Sequence, residues 1–311
     1  MPSNIVTDLI QICLVTEHFE DTVNRLATTL GIGPWKCWDY VPPQIFATRR
    51  DDQPAAWTMK LGVAWVGAVQ LEVIQPLAGD TIYREYLEAQ GEGAQHLLVG
   101  TAPGYFEAIK QFEAAGHRAA QSARINPAML IGGLTIPAPP RFIANRIAVQ
   151  FTYHDTRAAL GTVLEISKMP PGIPFRLGIR LGKPDVWVPA DSRDVEASLP
   201  NRMIEAITKV GIVVDDLEST IANWQGLGVT PWEYREVPGA RLACAKLGGV
   251  TLELAQPTGE GIYGELRARG TGIQYLGVRT LGKLDFPVLA EVGGEKFLDT
   301  REAAKTVLVI A

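Results

Sequence analysis

The chain has 311 residues, an apolar fraction of 47%, a charged fraction of 20% and a net charge of −5. That length accommodates two ordinary domains with a sizeable core, and the mild acidic balance excludes a nucleic-acid binder that relies on a basic field. Three scattered cysteines (Cys13, Cys37 and Cys244) with no Cys-x-x-Cys pair argue against a disulfide framework and against a thiolate zinc site. The N-terminus, MPSNIVTDLIQICLVTEHFED, has no basic stretch ahead of an apolar one, which argues against a signal peptide. No apolar run approaches the ~18 residues that span a bilayer. No membrane partner and a cytoplasmic location are therefore expected.

In chain order, residues 10–15 form an apolar run that predicts a strand. Residues 19–30 place Phe19, Val23, Leu26 and Leu30 at helical spacing. Strands are expected near 57–66 and 68–75. A strand over 95–100 and a helix over 104–115, stopped by Gly116, open a second unit that ends in a strand over 162–167. Each unit reads β-α-β-β-β. Residues 169–202 contain Pro170, Pro171, Pro174, Pro184, Pro189 and Pro200. No helix can run through them, and the segment is expected to connect two domains.

The remaining chain repeats what came before. LIQICLVTEHFEDTVNRLATTLGIGPW (9–35) matches ITKVGIVVDDLESTIANWQGLGVTPW (207–232). QLEVIQP (70–76) matches TLELAQP (251–257), and each is followed by an Ile-Tyr pair, Ile82-Tyr83 and Ile262-Tyr263. GEGAQHLLV (91–99) matches GTGIQYLGV (270–278), and DTRAALGTVLEI (155–166) matches DTREAAKTVLVI (299–310). Four segments in one order mark a tandem duplication. The second copy is shorter. A loop before its Glu strand has shrunk, and the stretch opposite 117–150 is largely missing, so its last module is expected to have lost two strands.

These segments resemble the vicinal oxygen chelate (glyoxalase/bleomycin resistance/extradiol dioxygenase) superfamily, nearest to methylmalonyl-CoA epimerase and glyoxalase I. The resemblance rests on Gln11 opening ICLVTEHFED, Glu72 in EVIQP, His96 in GAQHLL and Glu165 in TVLEI. It implies an α+β fold of tandem βαβββ modules. Residues 1–168 would form a complete domain, with modules at about 5–80 and 91–168. A Pro-rich connector, 169–202, and a shortened, degenerate second domain, 203–311, would follow. The resemblance also implies that Gln11, Glu72, His96 and Glu165 ligate one divalent metal ion, whether Zn, Ni, Co or Mn. Each candidate sits in a mostly apolar strand, where a buried carboxylate without a partner is costly and invites a cation. The same positions in the second copy hold Lys209, Glu253, Tyr275 and Val309. An ammonium repels a divalent ion and valine cannot ligate, so no metal is expected there.

The donor set implies a metal-dependent isomerase or epimerase. It would abstract a proton α to a carbonyl and stabilise the enolate on the metal, and the resemblance to glyoxalase I and the epimerases implies Glu165 or Glu72 as the base. The alternatives are a lyase using the same chemistry and a non-catalytic protein that sequesters small molecules. Gln11 in place of a His disfavours a dioxygenase. The expected partner is a small carbonyl-containing substrate, with a homodimer as the possible assembly. Other polar and aromatic residues read as structural. His18 caps the first helix, His154 belongs to a turn, the Asp155-Thr156-Arg157 segment forms a capped turn, and Trp35, Trp38, Tyr40, Trp57 and Trp65 pack a core.

Overall fold

The computed structural model describes residues 4–125, 148–169 and 202–311. All but the two ends of the expected connector, 169–202, lie outside the described residues. The first copy runs β1 (Val6–Val15), α1 (Phe19–Leu30), β2 (Lys36–Tyr40), β3 (Ile45–Arg50), β4 (Gln53–Pro54), β5 (Thr58–Val66), β6 (Val69–Ala78) and α2 (Ile82–Gln90). It continues with β7 (Gly93–Thr101), α3 (Tyr105–Ala114), β8 (Ala119–Ile125), β9 (Val149–His154), α4 (Arg157–Leu160) and β10 (Val163–Lys168). The second copy runs β11 (Ile204–Val213), α5 (Leu217–Gly226), β12 (Glu233–Val237), β13 (Ala240–Leu247), β14 (Val250–Pro257) and α6 (Ile262–Ala268). It ends with β15 (Gly272–Thr280), β16 (Val288–Val292), β17 (Glu295–Leu298), α7 (Arg301–Ala304) and β18 (Val307–Ile310).

Local chemistry explains these elements. Helix α1 buries Phe19, Val23, Leu26, Ala27 and Leu30 along one stripe. Gly31, at φ 64°, ends it in the left-handed region, with its N–H returned to Ala27 O. Helix α2, not anticipated from the periodicity, starts where Thr81 accepts the N–H of Arg84. The central strand β1 is buried on both faces over its last five residues, which is why it reads as a continuous apolar run.

The first sheet has ten strands in the order β2-β5-β6-β1-β7-β10-β9-β8-β3-β4. Strands β2 and β3 stand toward opposite ends of this order, yet only residues 41–44 join them. Such a connection spans roughly 17 Å at most, so the sheet must curl until its ends approach. In the second copy, residues 238–239 join β12 directly to β13, and its eight strands run β12-β13-β14-β11-β15-β18-β17-β16. The shrunken loop before the Glu strand is therefore the missing β3–β4 hairpin.

The expected loss of two strands from the last module is corrected here. Strands β16 and β17 are present. They are joined by Gly293 and Gly294, both at positive φ, as a two-residue hairpin of mirror-image turn type requires. Among the described residues, the last module instead lacks a counterpart of α3.

The outward faces of both sheets, with α1 and α5, share one apolar core that includes Ile12, Leu97, Leu164, Val210, Leu254 and Trp224. Trp224 Nε1 donates to Leu160 O at 3.2 Å across the two halves. The inward face of each sheet has a separate core, around Trp57, Tyr83 and Tyr153 in the first and Tyr263, Tyr275 and Phe297 in the second. Among the described residues, no helix is long and apolar enough to cross a membrane.

Candidate metal centre

Strand alternation places each candidate donor on the inward face of the first sheet. Glu72 pairs with Cys13 across β6 and β1, Cys13 with His96 across β1 and β7, and His96 with Val163 across β7 and β10. Gln11 and Glu165 lie two residues along, each paired with Leu98 on β7. The fold thus brings Glu72, His96 and Glu165 together. His96 Nε2 lies 3.3 Å from Glu72 Oε2 and 3.3 Å from Glu165 Oε2. Relative exposures are 5%, 0% and 6% for Glu72, His96 and Glu165. Gln11 is buried on the same face of β1, two residues from Cys13.

The hydrogen-bond pattern around His96 sharpens this geometry. Gln95 Nε2 donates to Ile82 O at 2.6 Å, so Gln95 Oε1 faces His96 Nδ1, 2.8 Å away. That oxygen only accepts, which assigns the ring proton to Nδ1 and leaves the Nε2 lone pair aimed at two carboxylates. Glu72 Oε2, His96 Nε2 and Glu165 Oε2 are all buried without a hydrogen-bond partner. Three acceptors meeting at one point in a water-poor interior repel one another unless a proton or a cation joins them. A divalent cation fits this donor set, because it satisfies all three atoms together.

Without a cation, the protons redistribute. Burial opposes charge on His96, yet the Glu165 and Glu72 carboxylates beside it push its pKa up to about 9. Burial also raises Glu165, and the neighbouring Glu72 adds to the effect. Ser167 Oγ donates to Glu165 Oε1 at 3.1 Å, which fixes one oxygen and leaves the other facing the centre. Burial holds the Cys13 thiol protonated far above its usual range, helped by the adjacent Glu72.

An aromatic wall backs the site. The Tyr153 ring lies 4.8 Å from His96 and the Tyr83 ring 6.1 Å, and the two tyrosine hydroxyls are 2.7 Å apart. The second copy repeats this arrangement with Tyr263, Tyr275 and Phe297, at ring separations of 5.4 to 6.3 Å. The wall is thus a packing feature of both copies. Trp57 belongs to it, whereas Trp35 packs in the outer core.

The equivalent position in the second copy has filled itself with cations. Lys209 Nζ lies 3.1 Å from Glu253 and 2.6 Å from Glu295, and Arg235 lies 2.8 Å from Glu253. Tyr275, at the His96 position, donates its hydroxyl to Glu253 at 2.8 Å. Burial opposes ionisation of Glu253, but Lys209, Tyr275, Cys244 and Arg235 together hold its pKa below the usual carboxylate range. Gly211, at the Cys13 position, makes room for the ring: a Cβ there would lie 2.1 Å from Tyr275 carbons.

Other expected roles resolve as follows. His154 does not lie in a turn. It ends β9, fully buried, stacked on Phe112 at 4.6 Å with Nδ1 facing His117 O at 3.0 Å. His18 occupies the cap position of α1 without a side-chain capping bond. Arg157 pairs with Asp155, and Arg301 repeats this with Asp299, while Thr156 and Thr300 each donate to a carbonyl six residues on. Three residues at the centre were missed: Cys13, Gln95 and Ser167. Cys13 and Ser167 were legible in principle, each two residues from a candidate and so on its face of the strand. A cavity of about 620 Å³, lined by Arg49, Tyr105, Phe106, Arg124 and Thr152 among others, lies beside α3. It is on the opposite face of the sheet from His96.

Residues 208–287 match the model of the Glyoxalase/Bleomycin resistance protein/Dioxygenase superfamily. No curated protein matches the chain. Among solved structures, a hypothetical protein from Staphylococcus aureus is similar at TM-score 0.52 and 7% identity, over 98% of this chain and 99% of that one. A 4-hydroxymandelate synthase variant from Streptomyces coelicolor is similar at TM-score 0.49 and 17% identity, over 88% and 71% of the two chains. Methylmalonyl-CoA epimerase from Mycobacterium tuberculosis is similar at TM-score 0.36 and 14% identity, over 55% of this chain and 93% of that one. The family match falls on the copy that carries Lys209 and Tyr275, so it bears on fold and not on the chemistry of His96. With its two curled mixed sheets and that match, the chain is a two-copy protein of the vicinal oxygen chelate fold.

Proposed function

We propose that the first half-barrel holds one divalent metal ion, Zn, Ni, Co or Mn, through Glu72, His96 and Glu165 with Gln11 beside them. On this reading the protein is an isomerase or epimerase that moves a proton α to a carbonyl of a small substrate. The observation that carries the reading is the meeting of three buried, unpartnered acceptors at His96 Nε2. When bound, the ion would supply a Lewis acid that polarises the substrate carbonyl and acidifies the adjacent C–H.

The chain's own residues account for the rest. Glu165 Oε2 is the proposed proton acceptor. It is buried and faces the centre beside His96 Nε2, within reach of a substrate held there. Ser167 Oγ on the other oxygen keeps Oε2 turned inward. Glu72 is the second candidate for the same role. The Gln95 bridge between Ile82 O and His96 Nδ1 fixes the imidazole orientation, and the Tyr83–Tyr153 wall keeps bulk water from that side. Proton return to the opposite face of the same carbon epimerises the substrate, and return to the neighbouring carbon isomerises it.

The test is solvent deuterium exchange. Chiral α-substituted carbonyl compounds are incubated with metal-loaded protein in deuterium oxide. Deuterium at the α carbon with wild-type protein, and none with Glu165→Gln, supports the reading. Equal exchange with and without metal refutes it. Appearance of an unsaturated product assigns the same proton removal to a lyase, and tight binding without exchange assigns the fold to sequestration.

A further inference from the structure

We infer that Cys13 supplies a sulfur donor to the cation at this centre. The inference rests on the metal-centre reading and specifies its donor set. Among the described residues, Cys13, Glu72 and His96 form a group of potential ligands whose donor atoms all lie within 4.8 Å of one another. Cys13 is flanked in register by both partners, Glu72 on β6 and His96 on β7. Gln11 pairs instead with Gln70 and Leu98. Of Gln11 and Cys13, the sulfur is thus flanked by two of the unpartnered acceptors, and the amide by none. Cys13 is fully buried, with its thiol beside the Glu72 carboxylate and 3.5 Å from the neighbouring Leu14 carbonyl.

The second copy supports the same geometry. Where His96 becomes Tyr275, the residue at the Cys13 position becomes Gly211, because the tyrosine ring occupies the space a side chain would need. That ring places its hydroxyl on Glu253. The volume at position 13 and the volume at the imidazole therefore adjoin beside the same glutamate in both copies.

One sulfur among nitrogen and carboxylate donors differs from the all-thiolate zinc site that the cysteine count excludes. It favours Zn or Co over Mn, because thiolate is a poor partner for a hard ion. Binding converts the thiol to a thiolate and releases its proton to solvent.

The test loads the full chain with Co(II) alone and records occupancy and absorption. One bound equivalent with an intense near-ultraviolet sulfur-to-cobalt band is expected. Cys13→Ser and Cys13→Ala should lose that band while still binding Co(II), more weakly by at least the roughly tenfold that loss of an outer-shell partner costs, and Gln11→Leu should keep it. Circular dichroism checks that each variant is folded. Full occupancy with weak visible bands only, or a band that survives Cys13→Ala, overturns the assignment while leaving the metal centre standing. Failure to bind Co(II) at all removes both. Occupancy thus tests the centre, and the band tests the sulfur.

Discussion

Replacing Lys209 with Met probes how the second copy survives without a metal. Glu253 is fully buried, and Lys209 Nζ bridges it to Glu295. Removing one partner of a buried ion pair costs about 3–5 kcal/mol, because the other charge stays desolvated. Arg235, Tyr275 and Cys244 still contact Glu253. The lower end of that range, about 3 kcal/mol, is therefore expected for Lys209→Met. The assay is urea unfolding of the full chain, whose two halves share one core. The pH dependence has a definite sign. Glu253 has a depressed pKa in the folded state. Its contribution is present above the unfolded carboxylate value and is lost as pH falls through the folded one. In Lys209→Met that acid-side loss should shrink. A variant within about 0.5 kcal/mol of wild type, a size usual for indifferent surface changes, would refute the ion-pair account.

Three further outcomes follow from the same structure. Gly211→Ala should cost about 3 kcal/mol by overpacking, read by urea unfolding, because Tyr275 cannot retreat without losing Glu253; Tyr275→Ala in the same chain should relieve the steric part. Burial depresses the His154 pKa to about 4, so its contribution to stability is complete above 6.5 and declines as pH falls toward 4. The loss amounts to about 3 kcal/mol, and a pH series of thermal melts should show it disappear in His154→Phe, which keeps the stack on Phe112. Glu165→Gln should abolish α-proton exchange in deuterium oxide while leaving the far-ultraviolet circular dichroism unchanged.

Much of the architecture was legible because duplication writes each element twice. The segments around Gln11, Glu72, His96 and Glu165 recur around Lys209, Glu253, Tyr275 and Val309, and their apolar runs became β1, β6, β7 and β10 and their counterparts. Non-local pairing was not legible. Nothing local in residues 45–54 says that β3 crosses to pair with β8 and curl the sheet. The deficit opposite 117–150 was mistaken for missing strands, because a length deficit does not say what has shortened: it falls mainly between β8 and β9, whose counterparts β16 and β17 are joined by only Gly293 and Gly294. His154 looked like a turn residue beside Asp155 and Thr156, and only its burial against Phe112 shows otherwise. Cys13 escaped notice because its significance depends on register: it stands directly between Glu72 and His96 only once three strands are aligned.

The central claim is that three unpartnered acceptors at His96 Nε2 exist to hold a cation. Elemental analysis of the purified full chain, followed by titration of stripped protein with Zn, Ni, Co and Mn, tests it most directly. The account expects one divalent ion per chain in wild type, no tight binding in His96→Ala or in the double variant Glu72→Gln, Glu165→Gln, and unchanged stoichiometry in Glu253→Gln. Wild-type protein that carries no ion and takes up none of the four, or an ion retained after the first-copy donors are removed, would contradict it.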